Sequence, residues 1–377
     1  MQRRSFLGFL AASAGALTAG PGSAASAGSR PPRRRLFSQT GAVVERNPAI
    51  TALYRRSVVI DSLAVGYEWD DVEYDAVERS GYTGIQTTLP SQNFPVAVRA
   101  LAEWRRRIRD NPDKLVQATR AQHIRDAKGE GKMAVVFGFQ NATMLEGSLA
   151  NIDPLYELGT RCIQLTYNSQ NRLGSGCTER VDGGLSDFGV AVVERLNELG
   201  IVVDLSHCGR QTSNDGIAVS NRPPSFTHTF CEALYPDHPR AKTDEQIRAM
   251  SDKGGVTGIA SLGYFVGPDP DTSIEDYVNH ILHAVDVGGI EHVGICTDHA
   301  IRGLRSWATR ENWYEPRLRN FKPSYRVRWP PFIEGLDEPE RFLNVAHVLH
   351  RRGMAEGDIT RILGGNWLRY FGEIFGG

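Results

Sequence analysis

Eight short runs rich in β-branched and apolar residues recur along this chain, most of them separated by stretches with helical periodicity. The runs are Val58–Leu63, Thr83–Thr88, Met133–Phe139, Arg161–Thr166, Ile201–Leu205, Ser225–Thr227, Gly255–Ala260 and His292–Thr297. Helical patterns fall at 69–79, 95–129, 152–158, 186–199, 211–219, 243–252 and 273–287. Near-continuous apolar runs of this kind mark strands buried on both faces, as in parallel sheets covered by helices. Eight such units over roughly 240 residues predict an α/β fold, a closed (β/α)8 TIM barrel, over a doubly wound sheet. No Gly-x-Gly-x-x-Gly follows the first run, which argues against a dinucleotide site.

The first 27 residues read as a leader outside the fold. Arg3-Arg4-Ser5-Phe6-Leu7 opens it, a short Gly/Ala-rich apolar stretch follows, and small residues end it near Ala25 or Ala27. That is the pattern of a twin-arginine signal peptide, and it predicts a periplasmic or secreted protein. Residues 28–50 then read as a linker and 51–377 as a single barrel domain. The leader's apolar stretch is too short to span a membrane, and no other long charge-free run exists. Net charge is −1, and outside the leader and Arg-Pro-Pro-Arg-Arg-Arg at 30–35 the basic residues are not concentrated in a stripe. Nucleic acid is therefore not an expected partner. Five cysteines, at 162, 177, 208, 231 and 296, lack a Cys-x-x-Cys spacing and do not form a disulfide framework.

Polar residues collect just past the ends of the apolar runs: Asp61, Gln140, Tyr167, Asn168, His207, His228 and Asp298. In a barrel, strand ends converge over one mouth, so residues far apart in sequence can share a site. His207 and His228 are candidate zinc ligands, because neutral imidazole binds zinc well near neutral pH. Gln140 can add only a neutral amide oxygen as third ligand. Asp298 is the candidate proton acceptor. Arg240 offers a planar fork to a substrate carboxylate, unless it is a surface arginine ahead of the next helix. Glu179 sits in a Gly-rich loop over the mouth as a candidate substrate contact, a solvent-facing or capping glutamate being the commoner case. Cys208 and His299 are secondary ligand candidates; His238, His280 and His283 read as loop or helix-surface residues. The Trp/Arg/Tyr/Pro-rich stretch 304–333 has no clean period and reads as a long loop on the active face. Closing helices follow at 338–352 and 357–363, with Gly364-Gly365-Asn366 suited to a helix stop or tight turn.

Several of these segments carry a resemblance. Gly-Leu-Ser-Asp-Phe-Gly at 184–189, Val-Asp-Leu-Ser-His at 203–207, Pro-Ser-Phe-Thr-His at 224–228, His-Val-Gly-Ile-Cys-Thr-Asp at 292–298 and Gly-Gly-Asn-Trp-Leu-Arg at 364–369 resemble the membrane (renal) dipeptidase family, the M19 metallopeptidases, across residues 57–371. The resemblance implies a metal-dependent hydrolase barrel, two zinc ions bridged by a glutamate, dipeptide substrates and a homodimer. It places the second zinc on His207 and His228, the carboxylate-binding arginine at Arg240, and the aspartate serving the reactive water at Asp298.

Three positions depart from that family. Its Asp-Gly-His-Asn-Asp becomes Asp61-Ser62-Leu63-Ala64-Val65, so two ligands of the first zinc are Leu63 and Val65. The bridging glutamate becomes Gln140. A histidine after the fourth barrel strand becomes Tyr167, whose hydroxyl can still donate a hydrogen bond to a developing oxyanion. Losing one ion removes half of the Lewis-acid apparatus. The sequence therefore predicts a one-zinc amidohydrolase for a dipeptide or N-acyl amino acid. The alternative is a non-catalytic relative that binds a peptide or assists a maturation step, with no metal.

Overall fold

A computed structural model describes residues 44–66 and 68–377. The twin-arginine leader and residues 28–43 of the expected linker lie outside the described residues. Nine strands occur among the described residues: β1 Ile60–Ala64, β2 Gly84–Thr88, β3 Leu115–Gln117, β4 Met133–Phe139, β5 Thr160–Gln164, β6 Val202–Asp204, β7 Ser225–Thr229, β8 Val256–Ala260 and β9 Val293–Cys296. Their order is β1-β2-β4-β5-β6-β7-β8-β9, every ladder is parallel, and β3 pairs only with β4. The eight strands of the main path correspond one for one to the eight runs in the sequence. The sheet curls until its outer strands meet. Asp298 N–H donates to Leu63 O at 2.9 Å and Val65 N–H to His299 O at 3.1 Å, joining β1 to the residues after β9. This is the (β/α)8 barrel, with parallel strands buried on both faces as their β-branched content requires.

The predicted helix over 95–129 is in fact two helices, Phe94–Asp110 and Ala121–Glu130, with β3 between them. Asn111-Pro112 explains the break, because proline cannot continue the helix and biases its predecessor away from helical geometry. Leu115-Val116-Gln117 then pairs with Met133–Val135 of β4. The 304–333 stretch also carries more structure than a loop, with short helical turns at Arg310–Tyr314, Glu315–Asn320 and Pro323–Tyr325.

Helices pack outside the barrel on apolar stripes. In Ile274–Gly288, Ser273 and Asp276 form a reciprocal N-terminal cap, while Ile274, Tyr277, Val278, Ile281 and Ala284 face inward at helical spacing. The opposite end of the barrel is plugged. Trp367, Tyr370, Phe371 and Ile374 of the last helix join Ile60, Val136, Cys162, Val202 and Val256 in one cluster. Gly364-Gly365-Asn366 is not a stop here: a π-turn at Arg361–Gly365 runs straight into the helix Asn366–Phe375. Gly364 makes the kink, and a Cβ there would lie 2.6 Å from Val58 O and 2.9 Å from Ile60 N. Asn366 Nδ2 secures the restart by donating to Ile290 O and Val293 O at 2.7 Å each.

Neither His238, in a loop as expected, nor His280, on a helix, lies at the surface. His238 and His280 are 2% and 1% exposed, with ring nitrogens bonded to backbone groups. His283 is half-buried and pairs with Asp244. All five cysteines are free thiols. Among the described residues no helix is long and apolar enough to cross a membrane.

Candidate active site at the barrel mouth

The histidines stand on a frame built by β6 and β7. Asp204, at the end of β6, accepts from Ser206 N–H at 3.0 Å, Thr227 N–H at 3.2 Å and Thr227 Oγ1 at 2.7 Å. Burial pushes this carboxyl up, while the Ser206 and Thr227 bonds pull it down. Because Thr227 gives its hydroxyl proton to Asp204, its oxygen is left to accept from His228 Nδ1 at 2.8 Å. His228 Nε2 then carries the lone pair, and Gln140 Nε2 donates to it at 3.0 Å.

His207 is fixed in the same form. Its Nδ1 donates to Asn168 Oδ1 at 2.8 Å, and Nε2 is buried without any partner. The Tyr167 ring stacks on it at 4.0 Å, and the His228 ring lies 4.9 Å away. Burial holds both imidazoles well below their usual basicity, and the cations of Arg240 and Lys242 add to the effect. They are neutral rings that present Nε2 lone pairs, the form a metal-ligating histidine takes when its other nitrogen donates to an oxygen.

β1 and β9 build the same frame without ligands. Asp61 accepts from Leu63 N–H at 3.2 Å, Thr297 N–H at 3.0 Å and Thr297 Oγ1 at 2.6 Å. Burial pushes Asp61 up to about 6. Leu63 is fully buried, in a cluster with Phe230, Phe265, Cys296, Trp313 and Tyr325. Val65 is half-buried. His299 has both ring nitrogens engaged, with Ser261 Oγ and Ala300 O. Cys208 packs into the core, its sulfur accepting from Thr166.

Asp298 follows β9 with φ 60°, a left-handed backbone held by its N–H bond to Leu63 O. Burial pushes its carboxyl up to about 7. Arg240 and Arg317 pull in the other direction, and Asp61 and Asp204 add to the rise. Arg240 is fully buried, not on the surface. Its Nη2 donates to His228 O at 2.8 Å and its Nη1 to Ser206 O, and Phe265 lies beneath it.

The 304–333 segment covers this face. Tyr325 is 2% exposed and its carbonyl meets His238; Phe321 leans on Tyr167. Lys322 Nζ donates to Thr178 O at 2.6 Å and lies 3.8 Å from Glu179. Glu179 Oε1 also accepts from Gln170 N–H, so this carboxylate ties the Gly-rich loop to the covering segment.

Sequence reasoning missed Asp204, Thr227 and Lys242. The first two stand beside the histidines in Val-Asp-Leu-Ser-His and Thr-His, a signal that was available. Lys242 had none, being one lysine ahead of a helix.

The fold and site define a barrel hydrolase scaffold with a histidine pair at the ends of β6 and β7. Residues 73–307 match the family Membrane dipeptidase (Peptidase family M19), and the chain belongs to that family. An amidohydrolase from Pseudomonas aeruginosa superposes with a TM-score of 0.79 at 29% identity, covering 86% of this chain and 99% of that one. A metallo peptidase from Rhodobacter sphaeroides, liganded with a phosphinate mimic of L-Ala-D-Ala, shares the fold at TM-score 0.68 and 16% identity, covering 84% and 99%. An uncharacterized dipeptidase of Schizosaccharomyces pombe is 33% identical over 178 residues, covering 45% of this chain and 42% of the relative. A dipeptidase (verJ) of Clonostachys rogersoniana is 27% identical over 264 residues, covering 70% and 61%. The chain thus spans about half the length of the curated relatives it matches.

A two-ion site does not fit these residues. Apolar Leu63 and Val65 occupy the first half, and among the described residues no three His, Cys, Asp or Glu side chains form a metal cluster. The other half offers a single ion two oriented imidazoles, one with an unpartnered Nε2 and one whose Nε2 lone pair an ion would take over from the Gln140 amide N–H.

Proposed function

We propose that this protein is a dipeptidase-like hydrolase that cleaves the amide bond of a dipeptide or N-acyl amino acid, using one zinc ion on His207, His228 and Gln140. The observation that carries this reading is the unpartnered, buried Nε2 of His207 beside a His228 held in the same tautomer. When bound, the ion supplies Lewis acidity at the scissile carbonyl. Asp298, poised at about 7, takes a proton from the attacking water and returns it to the leaving amine. Asn168 Nδ2, a buried donor with no partner, and the Tyr167 hydroxyl serve the substrate carbonyl as its oxygen gains charge. Arg240 keeps N–H groups beyond the two bound to backbone carbonyls, and these meet the substrate carboxylate. Glu179 borders the mouth and limits what enters. In this reading the enzyme works as a homodimer in the periplasm or outside the cell, after twin-arginine export.

A panel of dipeptides and N-acyl amino acids, assayed with zinc-loaded and chelator-treated protein, tests the proposal. Saturable turnover should appear, vanish on chelation, return with zinc, and be lost in Asp298→Asn. Equal turnover without metal would sink it. Leu63, packed among apolar side chains where the family resemblance expects a ligand, favours a second reading: a non-catalytic relative that binds a peptide. Peptide binding without turnover in zinc-loaded protein would favour that reading.

A further inference from the structure

Two cations two residues apart, Arg240 and Lys242, are buried beside the histidines, and the proposed chemistry leaves Lys242 without a task. Lys242 is 2% exposed. Its ammonium donates to Leu205 O at 3.0 Å, Cys208 O at 3.0 Å and Ser213 Oγ at 2.9 Å, which uses all three of its protons. The Ser206 carbonyl accepts from Arg240, and the His207 carbonyl accepts from Cys177 N–H at 2.8 Å. Every carbonyl from 205 to 208 is therefore held, three of them by these two side chains.

The brace is itself anchored. Lys242 N–H donates to Phe230 O, its carbonyl accepts from Glu232 N–H, and Thr229 Oγ1 donates to Arg240 O, each at 2.9 Å. Arg240 also reaches His228 O. One short stretch thus fixes the backbone on which both imidazoles stand. A buried ammonium is costly, and no carboxylate pairs with this one among the described ion pairs. An apolar side chain of similar length would fill the space without that cost, so packing alone does not account for a lysine here.

We propose that Lys242 is a positioning residue: it grips the carbonyls on both sides of His207 and so aims that imidazole's Nε2 into the mouth. Only the metal readout of this proposal rests on the one-ion reading above.

The test compares the full chain with Lys242→Met and Lys253→Met. Lys253 is an exposed lysine that also donates to backbone carbonyls, those of Ala218 and Ser220, and so controls for simple bracing. Zinc affinity is measured by chelator competition, and the imidazole tautomers of metal-free protein by 15N-histidine NMR. Lys242→Met should weaken zinc binding about tenfold or more, in the range seen for lost outer-shell partners. It should also replace the single Nδ1–H form of His207 with a mixture, while Lys253→Met changes neither. Ser213→Ala, which removes one of the three acceptors, should give both changes in smaller measure, and decides the question if Lys242→Met does not fold. A folded Lys242→Met, or Ser213→Ala in its place, with the wild-type His207 tautomer signal would overturn the proposal. If the wild type itself fails to bind zinc, the one-ion reading falls, and the tautomer spectra still decide the role of Lys242.

Discussion

The β6/β7 and β1/β9 sides of the mouth share a frame and differ in what they mount on it. In each, an aspartate accepts the N–H two residues on, and the N–H and hydroxyl of a threonine on the neighbouring strand or just past its end: Asp204 with Thr227, Asp61 with Thr297. On the first side the frame orients His207 and His228. On the second it carries Leu63 into an apolar cluster roofed by the 304–333 segment. A strand-end frame and the ligands it displays are separable properties. The missing ligands therefore do not mean a damaged fold: the half without them is as fully hydrogen-bonded as the half that keeps them.

The largest expected contrast lies between ligands and their apolar counterpart. His207→Ala or His228→Ala should abolish zinc binding and turnover while leaving the melting temperature within a few degrees. Leu63→Ala should do the reverse, costing about 2–5 kcal/mol as a buried cavity with zinc affinity unchanged. Zinc loss on Leu63→Ala in folded protein would break the comparison.

The threonines separate frame from relay. Thr227→Val removes the group that sets the His228 tautomer and should weaken zinc binding about 10- to 100-fold. Thr297→Val should leave zinc affinity alone and cost about 1–3 kcal/mol, because Asp61 loses a buried donor. Denaturant titration beside zinc competition distinguishes the two, and equal zinc affinities in the pair would contradict the account.

Asp298 should give the smallest change in stability. Its folded carboxyl sits near 7, above its ordinary value of 3.8. Between those values the folded state holds more protons than the unfolded chain, so this group's contribution to stability falls as pH rises. Asp298→Asn should therefore melt a few degrees higher than wild type at pH 8, and the gain should shrink as pH falls toward 4. Turnover of the wild type should rise with pH through about 7 as the base is uncovered. A variant no more stable than wild type at pH 8 would show that burial does not set this carboxyl.

Much of this was legible in the chain. Eight β-branched runs gave eight barrel strands, because parallel strands buried on both faces leave a compositional mark. The convergence of His207, His228, Gln140, Asn168 and Tyr167 followed from barrel topology. β3 was hidden because three residues carry too little periodicity to stand out inside a helical stretch, although Asn111-Pro112 marked the break. Gly364-Gly365-Asn366 suits a helix stop or tight turn in the sequence, which does not reveal the close approach of Val58 O that makes it a kink within a continuing helix. The burial of His280, and the choice between a buried and a surface Arg240, lay beyond the sequence for a related reason: both depend on carbonyls and aromatic rings supplied by distant segments. Lys242 needed the same long-range information.

The central claim is a one-ion site on the β6/β7 side, and elemental analysis tests it most directly. Protein exported and purified without chelator or histidine tag should carry about one zinc per chain, and the His207→Ala/His228→Ala double variant should carry none. Two zinc ions per chain, or none in the wild type, would contradict it.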